Sequence, residues 1–289
     1  MLKKIARRIA FIVIKKLPRK HNIMWRYFME YGKLPNINHP KTFNEKVTKR
    51  IVFDNNPLYA ELSDKYAVRK YIADKVGEHV LIPLLFTTKN PEDLLKMDKW
   101  NGIVIKPNHG ASYVKLIDNE PSEKEKKAII LEAHKWLSID FSKVNNEQHY
   151  ASIEPRIVVE EKITPAGYVP KDYKFHCFKQ KDGEIKYVLQ VVDGRFGTES
   201  RGYYLNSFDN CVWHHGGDNY QLSENEKKSL VKILPYNKAL MDDFDYVRID
   251  WYIIEDNIYF GEMTFTPGSG KNPEFGEELE NIMGGFWVK

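Results

Sequence analysis

The spacing of hydrophobic positions changes character near residue 100 of this 289-residue chain. Upstream, residues 21–60 read as short helices and loops. Thr42-Phe-Asn-Glu45 has the capping-box spacing that satisfies free backbone donors at a helix start. Asp64 stands where an N-cap would open a helix through "KYAVRKYIADKV", and Gly77 where it would stop. "VLIPLLF" (80–86) predicts a short buried strand.

From Gly102 the pattern turns to strands. "GIVIKP" ends at Lys106 and "SYVKLI" is its hairpin partner, with "PNHGA" between them. A second capping box, Ser122 to Glu125, opens a helix at about 123–137. "RIVVEEKI" (156–163) is a strand ending in two glutamates. "DYKFHCFKQ" and "EIKYVLQVV" flank Asp182-Gly183, a strong hairpin signal. A third capping box, Ser223 to Glu226, starts a helix expected to run to Pro235 and restart. The strand pairs read as antiparallel hairpins, which predicts an α+β fold of two or more lobes rather than a doubly wound sheet.

The chain closes on a hairpin over residues 245–265. Val247, Ile249, Trp251 and Ile253 alternate with Arg248, Asp250 and Tyr252, so one face is apolar and the other polar. A three-residue loop, Glu255-Asp256-Asn257, with Asn257 left-handed, would set Asp250 opposite Glu262 and Arg248 opposite Thr264. Val247, Ile249, Trp251 and Ile253 would then face Phe265, Met263, Gly261 and Tyr259. Two carboxylates opposed on one sheet face lie about 5 Å apart and repel. A divalent cation held by oxygens would offset that repulsion. A two-residue loop would instead send the carboxylates to opposite faces, as ordinary surface charges.

Composition narrows the class. Hydrophobics at 42% and charged residues at 29% suit a globular chain. The two cysteines, Cys177 and Cys211, exclude a disulfide scaffold and suit a reducing cytoplasm. The net charge of +4 hides an asymmetry: residues 1–20 hold eight Lys or Arg and no acid, and removing those eight from 44 leaves 36 against 40 acidic residues. An acidic body speaks against nucleic-acid binding. The basic arm has two open readings, an amphipathic helix on an anionic membrane surface or an ordinary helix packed on the body. Its apolar run, Ile9 to Ile14, is far short of the roughly 20 residues that span a bilayer.

Candidate chemistry gathers at strand ends. Lys106 leaves a buried strand beside a loop with free N–H groups, a plausible phosphate cradle or a lysine reaching for solvent. Glu160 and Glu161 could accept from a ribose or be solvated. Asp172 and Lys174 share a strand face, where an ion pair is the plain alternative. His214-His215 reads as loop. No Gly-x-Gly-x-x-Gly, P-loop or Ser-His-Asp pattern occurs.

In order, K-P-N-H-G, V-V-E-E-K-I, D-Y-K-F-H-C-F, V-R-I-D-W-Y and F-G-E-M-T-F-T-P-G-S-G resemble the ATP-grasp superfamily, in its TupA-like branch, named for a teichuronopeptide biosynthesis protein. The resemblance spans roughly residues 40–285, with "HPKTFNEK" and "DKYAVRKYI" near its start. It implies two antiparallel-sheet lobes clasping ATP: a basic arm (1–20), a helical region (21–98), a small lid lobe (99–168) and a C-terminal lobe with the metal site (169–289). By this resemblance Lys106, His109, Gly110, Ser112, Glu160, Glu161, Lys162, Ile163 and Lys174 bind ATP, and Lys174 and Arg248 act in catalysis. Asp250, Glu262 and Thr264 would hold Mg²⁺. Thr264 departs from the family's Glu-x-Asn, and the region before the lobes is shorter than the domain that usually precedes them. The implied activity is a carboxylate–amine ligase passing through an acyl phosphate. Its partners would be an amino acid or amine and a uronic acid of a bacterial surface polysaccharide. Arg195 and Arg201, after the central hairpin, are candidates to clamp that carboxylate or else exposed loop arginines. A kinase acting on a glycan hydroxyl and a non-catalytic membrane adaptor are the rival expectations. The arm suits a cytoplasmic enzyme peripheral to the membrane, with no nucleic-acid partner.

Overall fold

The strands assemble into two sheets in which every pairing is antiparallel. The computed structural model describes residues 14, 16–165, 167–195, 197–215 and 221–288. Most of the basic arm therefore lies outside the described residues. The smaller sheet has the order β1-β4-β2-β3, built from β1 (Leu84–Thr88), β2 (Ile103–Pro107), β3 (Lys115–Ile117) and β4 (Ile157–Glu161). The larger has the order β10-β9-β5-β6-β7-β8, built from β5 (Asp172–Lys179), β6 (Ile185–Asp193), β7 (Ser200–Leu205), β8 (Trp213–His215), β9 (Tyr246–Ile254) and β10 (Asn257–Thr264). Two antiparallel sheets are what the ATP-grasp resemblance implies.

Local signals in the chain explain most elements. All three capping boxes form, at the helices Phe43–Phe53, Glu123–Leu137 and Glu224–Leu240. Asp64 accepts from the Tyr66 and Ala67 amides, and the helix itself starts later, at Val68–Lys75. The Asp182-Gly183 turn joins β5 to β6, with Gly183 at φ 88°.

Four expectations change. The helix Glu224–Leu240 passes through Pro235 without restarting, because its buried face, Leu230, Ile233 and Leu240, keeps both halves on one core. The expected buried strand at 80–86 is shifted to Leu84–Thr88 and is a sheet edge, with Leu85 exposed. Because β1 pairs with β4, the small lobe starts upstream of residue 99. The expected loop at His214-His215 is the short strand β8, at the other sheet's edge.

The larger sheet is two-sided. One face packs Tyr173, Phe175, Leu189, Ile249 and Trp251 under the helix Glu224–Leu240. The other face is apolar only at one end, where Phe178, Val188, Tyr203 and Tyr246 meet Phe43 and Phe275. Its other end carries Lys174, Arg248 and Asp250 and fronts the smaller sheet. Among the described residues no helix is long and apolar enough to cross a membrane.

Candidate active site

A cavity of about 220 Å³ lies between the sheets. Its lining combines the apolar Ile82, Val104, Leu116 and Ile163 with the charged Lys65, Lys106, Lys174, Arg195, Asp250 and Glu262.

The charged wall is set by register. Strict alternation along β9 buries Val247, Ile249 and Trp251 in the core and leaves Arg248 and Asp250 on the opposite face. Asp250 is flanked by Lys174 on β5 and by Glu262 on β10, and Arg248 sits opposite Thr264. The expected pairing at the site holds, but by another route. The hairpin turn has two residues, with Glu255 at φ 56° and Asn257 already paired to Ile254. A bulge at Gly261 then inserts the missing residue. Ile253 and Trp251 therefore face Ile258 and Phe260, rather than Tyr259 and Gly261. A Cβ there would lie 3.0 Å from the Asp250 carbonyl oxygen and 3.2 Å from the Tyr252 ring, tighter than ordinary packing.

The opposed carboxylates are neutralised by side chains. Arg248 donates from Nε to Asp250 Oδ1 at 2.7 Å and from Nη2 to Asp250 Oδ2 and Glu262 Oε1, both at 2.8 Å. The same Nη2 reaches Thr264 Oγ1 at 3.0 Å. Lys174 Nζ lies 2.7 Å from Asp250 Oδ2 and 3.3 Å from Asp172 Oδ1. Lys65 Nζ is 3.7 Å from Glu262 Oε2. The inference that the repulsion alone demands a cation is thus corrected: a guanidinium fork between the carboxylates offsets it. Among the described residues no group of three or more His, Cys, Asp or Glu could hold a metal ion. Asp250, Glu262 and Thr264 are still an all-oxygen donor set of the kind hard divalent cations take. They fit Mg²⁺ provided Lys65 and Arg248 yield oxygens to it. Burial raises the Glu262 pKa, but Lys65, Arg248, Lys174 and Arg195 outweigh it and hold the carboxyl well below the usual range. Burial lowers Arg248, and Asp250 and Glu262 more than reverse that.

On the smaller sheet, Lys106 Nζ meets Glu160 Oε2 at 2.5 Å, and Arg69 reaches Glu160 Oε1 at 3.4 Å. Glu160 is buried by this pairing, while Glu161 and Ile163 also line the cavity. Lys162 borders the cavity but turns its ammonium to Asp118, at 2.9 Å, and to the Thr164 and Pro165 carbonyls. The loop after β2 bends through Gly110 (φ 80°) and Ser112 (φ 69°) and presents both to the cavity. A Cβ on Gly110 would strike the Phe141 ring at 2.8 Å.

Arg248 and Thr264, though bonded to each other and to the carboxylate wall, are not among the residues lining the cavity, and two further expected contacts are corrected. His109 is buried away from the cavity lining, its ring nitrogens meeting Asn108 Oδ1 at 3.2 Å and the Ile139 carbonyl at 3.3 Å. Arg201 is taken up by Glu199 and Glu274 and does not line the cavity, because β7 lies two strands away from the wall of β5 and β9. Arg195 does line it, 3.3 Å from Asp172 Oδ2.

Lys65 was absent from the residues expected at the site. Its ammonium donates to the Gly110 carbonyl at 2.7 Å, and its backbone N–H to the Asn108 carbonyl at 2.9 Å. It thereby ties the small-lobe loop to the Glu262 wall. Burial pushes its pKa down, while Glu262 acts in the opposite direction. The available signal was a lysine immediately after Asp64, in a turn held by that carboxylate.

A family model described as TupA-like ATPgrasp matches residues 45–288. Among solved structures, the chain is similar to D-alanine–D-alanine ligase from Helicobacter pylori, at 19% identity and TM-score 0.46, over 77% of this chain and 60% of that one. It is similar to VanG D-Ala:D-Ser ligase from Enterococcus faecalis, at 16% identity and TM-score 0.46, over 79% and 62%. Biotin carboxylase from Campylobacter jejuni aligns at 12% identity and TM-score 0.47, over 80% and 47%. The chain thus covers less than two thirds of each of these structures. A search of curated proteins returned no match.

Proposed function

Because the chain belongs to the TupA-like ATP-grasp family, we propose that it is an ATP-dependent carboxylate–amine ligase. The observation that carries this reading is the convergence of Lys106 and Lys174, from opposite sheets, on one cavity walled by Asp250 and Glu262. Ile82, Val104, Leu116 and Ile163 would take the adenine, and Glu160 and Glu161 border that slot. Lys65, Lys106 and Lys174, with the Gly110–Ser112 loop, would surround the phosphates. Asp250 and Glu262, with Thr264 beside them, would hold Mg²⁺, which supplies positive charge to phosphate oxygens.

A substrate carboxylate oxygen attacks the γ-phosphorus, ADP departs with the bonding electrons, and an acyl phosphate forms. An amine then attacks the acyl carbon, phosphate leaves, and the amine gives up a proton. Arg248 and Lys174 stabilise charge on the transferring group, and no enzyme nucleophile takes part. Arg195, at the cavity edge, would pair with the substrate carboxylate. The acceptor is a uronic acid of a bacterial surface polysaccharide, and the amine an amino acid or a similar compound. The basic N-terminal stretch suits work beside an anionic membrane.

Calorimetric titration with ATP, with and without Mg²⁺, tests the site on the native protein and on Asp250→Asn. The expected result is magnesium-dependent binding that the substitution weakens. Amide formation with ADP release from a uronic acid and an amine completes the case. A phosphorylated sugar with no amide would make the protein a kinase, and no ATP binding at all would refute the reading.

A further inference from the structure

A second cleft, of about 700 Å³, opens on the far side of the helix Phe43–Phe53. Lys41, Lys46, Lys49 and Lys181 line it, together with His39 and Trp287. Among its described lining residues there is no carboxylate. That is unusual on a body whose acidic residues outnumber its basic ones outside the arm.

The helix repeat explains the alignment. Lys46, Lys49 and Phe53 fall at i, i+3 and i+7, on one stripe, and Lys20 lies over the Phe53 ring at its end. Among the described residues no carboxylate forms an ion pair with Lys41, Lys49 or Lys181, and Lys46 Nζ bonds the Trp287 carbonyl. Asp245, the carboxylate that acts on Lys46, is already engaged by Arg50 and by the Trp287 indole at 2.8 Å. Burial and then the charge of Lys49 push the Lys46 pKa down, as crowding of like charges does. The same helix turns its opposite side to the catalytic lobe. Thr48 and Asn44 touch the turn Pro267–Gly270, where a Cβ on Gly270 would meet Thr48 Oγ1 at 2.5 Å. One helix, about 10 Å across, therefore separates the lysine cleft from the turn that follows the Glu262 strand.

We propose that this cleft is a docking groove for a linear polycarboxylate glycan, the acceptor polymer, held by Lys41, Lys46, Lys49 and Lys181 while one of its units reaches the cavity. The proposal rests on the ligase reading above and adds where the rest of the substrate lies. Lysine ammoniums are point charges without the fork geometry of arginine, which suits a polymer that must slide between repeats.

The test is calorimetric titration of the full-length protein with an oligogalacturonate, beside the variant Lys41→Gln/Lys49→Gln/Lys181→Gln. Lys46 is left intact because its ammonium bonds the Trp287 carbonyl. The native protein should bind the oligouronate and not a neutral dextran, with affinity falling as salt rises. The variant should bind about tenfold more weakly, the scale of three solvent-exposed charge pairs. Its melting temperature and MgATP affinity should match the native values. Equal affinity in native and variant protein would overturn the groove, as would equal binding of dextran. So would binding to phosphatidylglycerol vesicles that depends on these lysines when oligouronate binding does not, since the face would then be a membrane contact. Lost MgATP binding in the native protein would instead strike the ligase reading, so the two failures are separable.

Discussion

Replacing Arg248 by methionine removes the guanidinium between Asp250 and Glu262 while conserving most of its volume. In the native protein that fork makes four contacts of 2.7 to 3.0 Å. Its side chain is 14% exposed and that of Asp250 2%, so this is a largely buried pair rather than a surface one. Breaking a buried pair on one side costs about 3–5 kcal/mol. Glu262 is 32% exposed on the cavity wall, and Lys174 and Lys65 still attend the two carboxylates, so the lower end, about 3 kcal/mol, applies. For 289 residues the unfolding entropy is about 0.6 kcal/mol per kelvin, which makes the expected loss about 5 °C in Tm. Thermal melting followed by circular dichroism measures it, in EDTA and in millimolar MgCl₂. With the arginine gone, the carboxylates repel and become better cation ligands. Magnesium should therefore raise the variant's Tm more than the native protein's. A loss below about 1 °C, or an equal magnesium response in both proteins, would refute Arg248 as the counter-ion of the pair.

Other outcomes follow from the same geometry. Gly261→Ala places a Cβ against the Asp250 carbonyl and the Tyr252 ring, so denaturant unfolding should show a loss of about 1–3 kcal/mol and calorimetry a weaker MgATP affinity. Unchanged values would mean that the bulge does not set the register. Lys65→Met removes the tie from Glu262 to Gly110, and ATP affinity should fall about 10- to 100-fold, the scale of a charge-assisted hydrogen bond; native affinity would exclude Lys65 from the phosphate site. Acid unfolding carries a defined sign. Glu262 titrates near about 4.3 when unfolded and lower when folded. Its contribution is therefore present above that pH and disappears as pH falls through the folded value. Glu262→Gln should flatten the drop in Tm between about pH 5 and about pH 3, and parallel curves for the two proteins would refute the shift.

Much of the site was legible because its signals are local. Alternation along "DYVRIDWYII" assigns Arg248 and Asp250 to one face whatever surrounds them, since successive strand residues point to opposite sides. The capping boxes at Thr42, Ser122 and Ser223 close within one helical turn, and all three are formed. Lys106 ends its strand beside a glycine-bearing loop and does line the cavity. The pairing of Asp250 with Glu262 was read correctly from a loop length that is not the true one. The two-residue turn and the Gly261 bulge are two one-residue differences of opposite effect, and they cancel before the carboxylates are reached.

What stayed hidden depends on contacts between distant parts of the chain. Whether His109 turns inward is decided by the Ile139 carbonyl, and whether Arg201 is free to clamp a substrate is decided by Glu274. Lys65 becomes a site residue only when the N-terminal region is laid beside β10. Charge balance at the carboxylate pair is the sharpest case. The sequence by itself determined that two acids would be opposed, through the period-two geometry of strands. Only the tertiary structure decided that Arg248, Lys174 and Lys65 would neutralise them, because burial makes such charges require partners and packing alone determines which cations arrive.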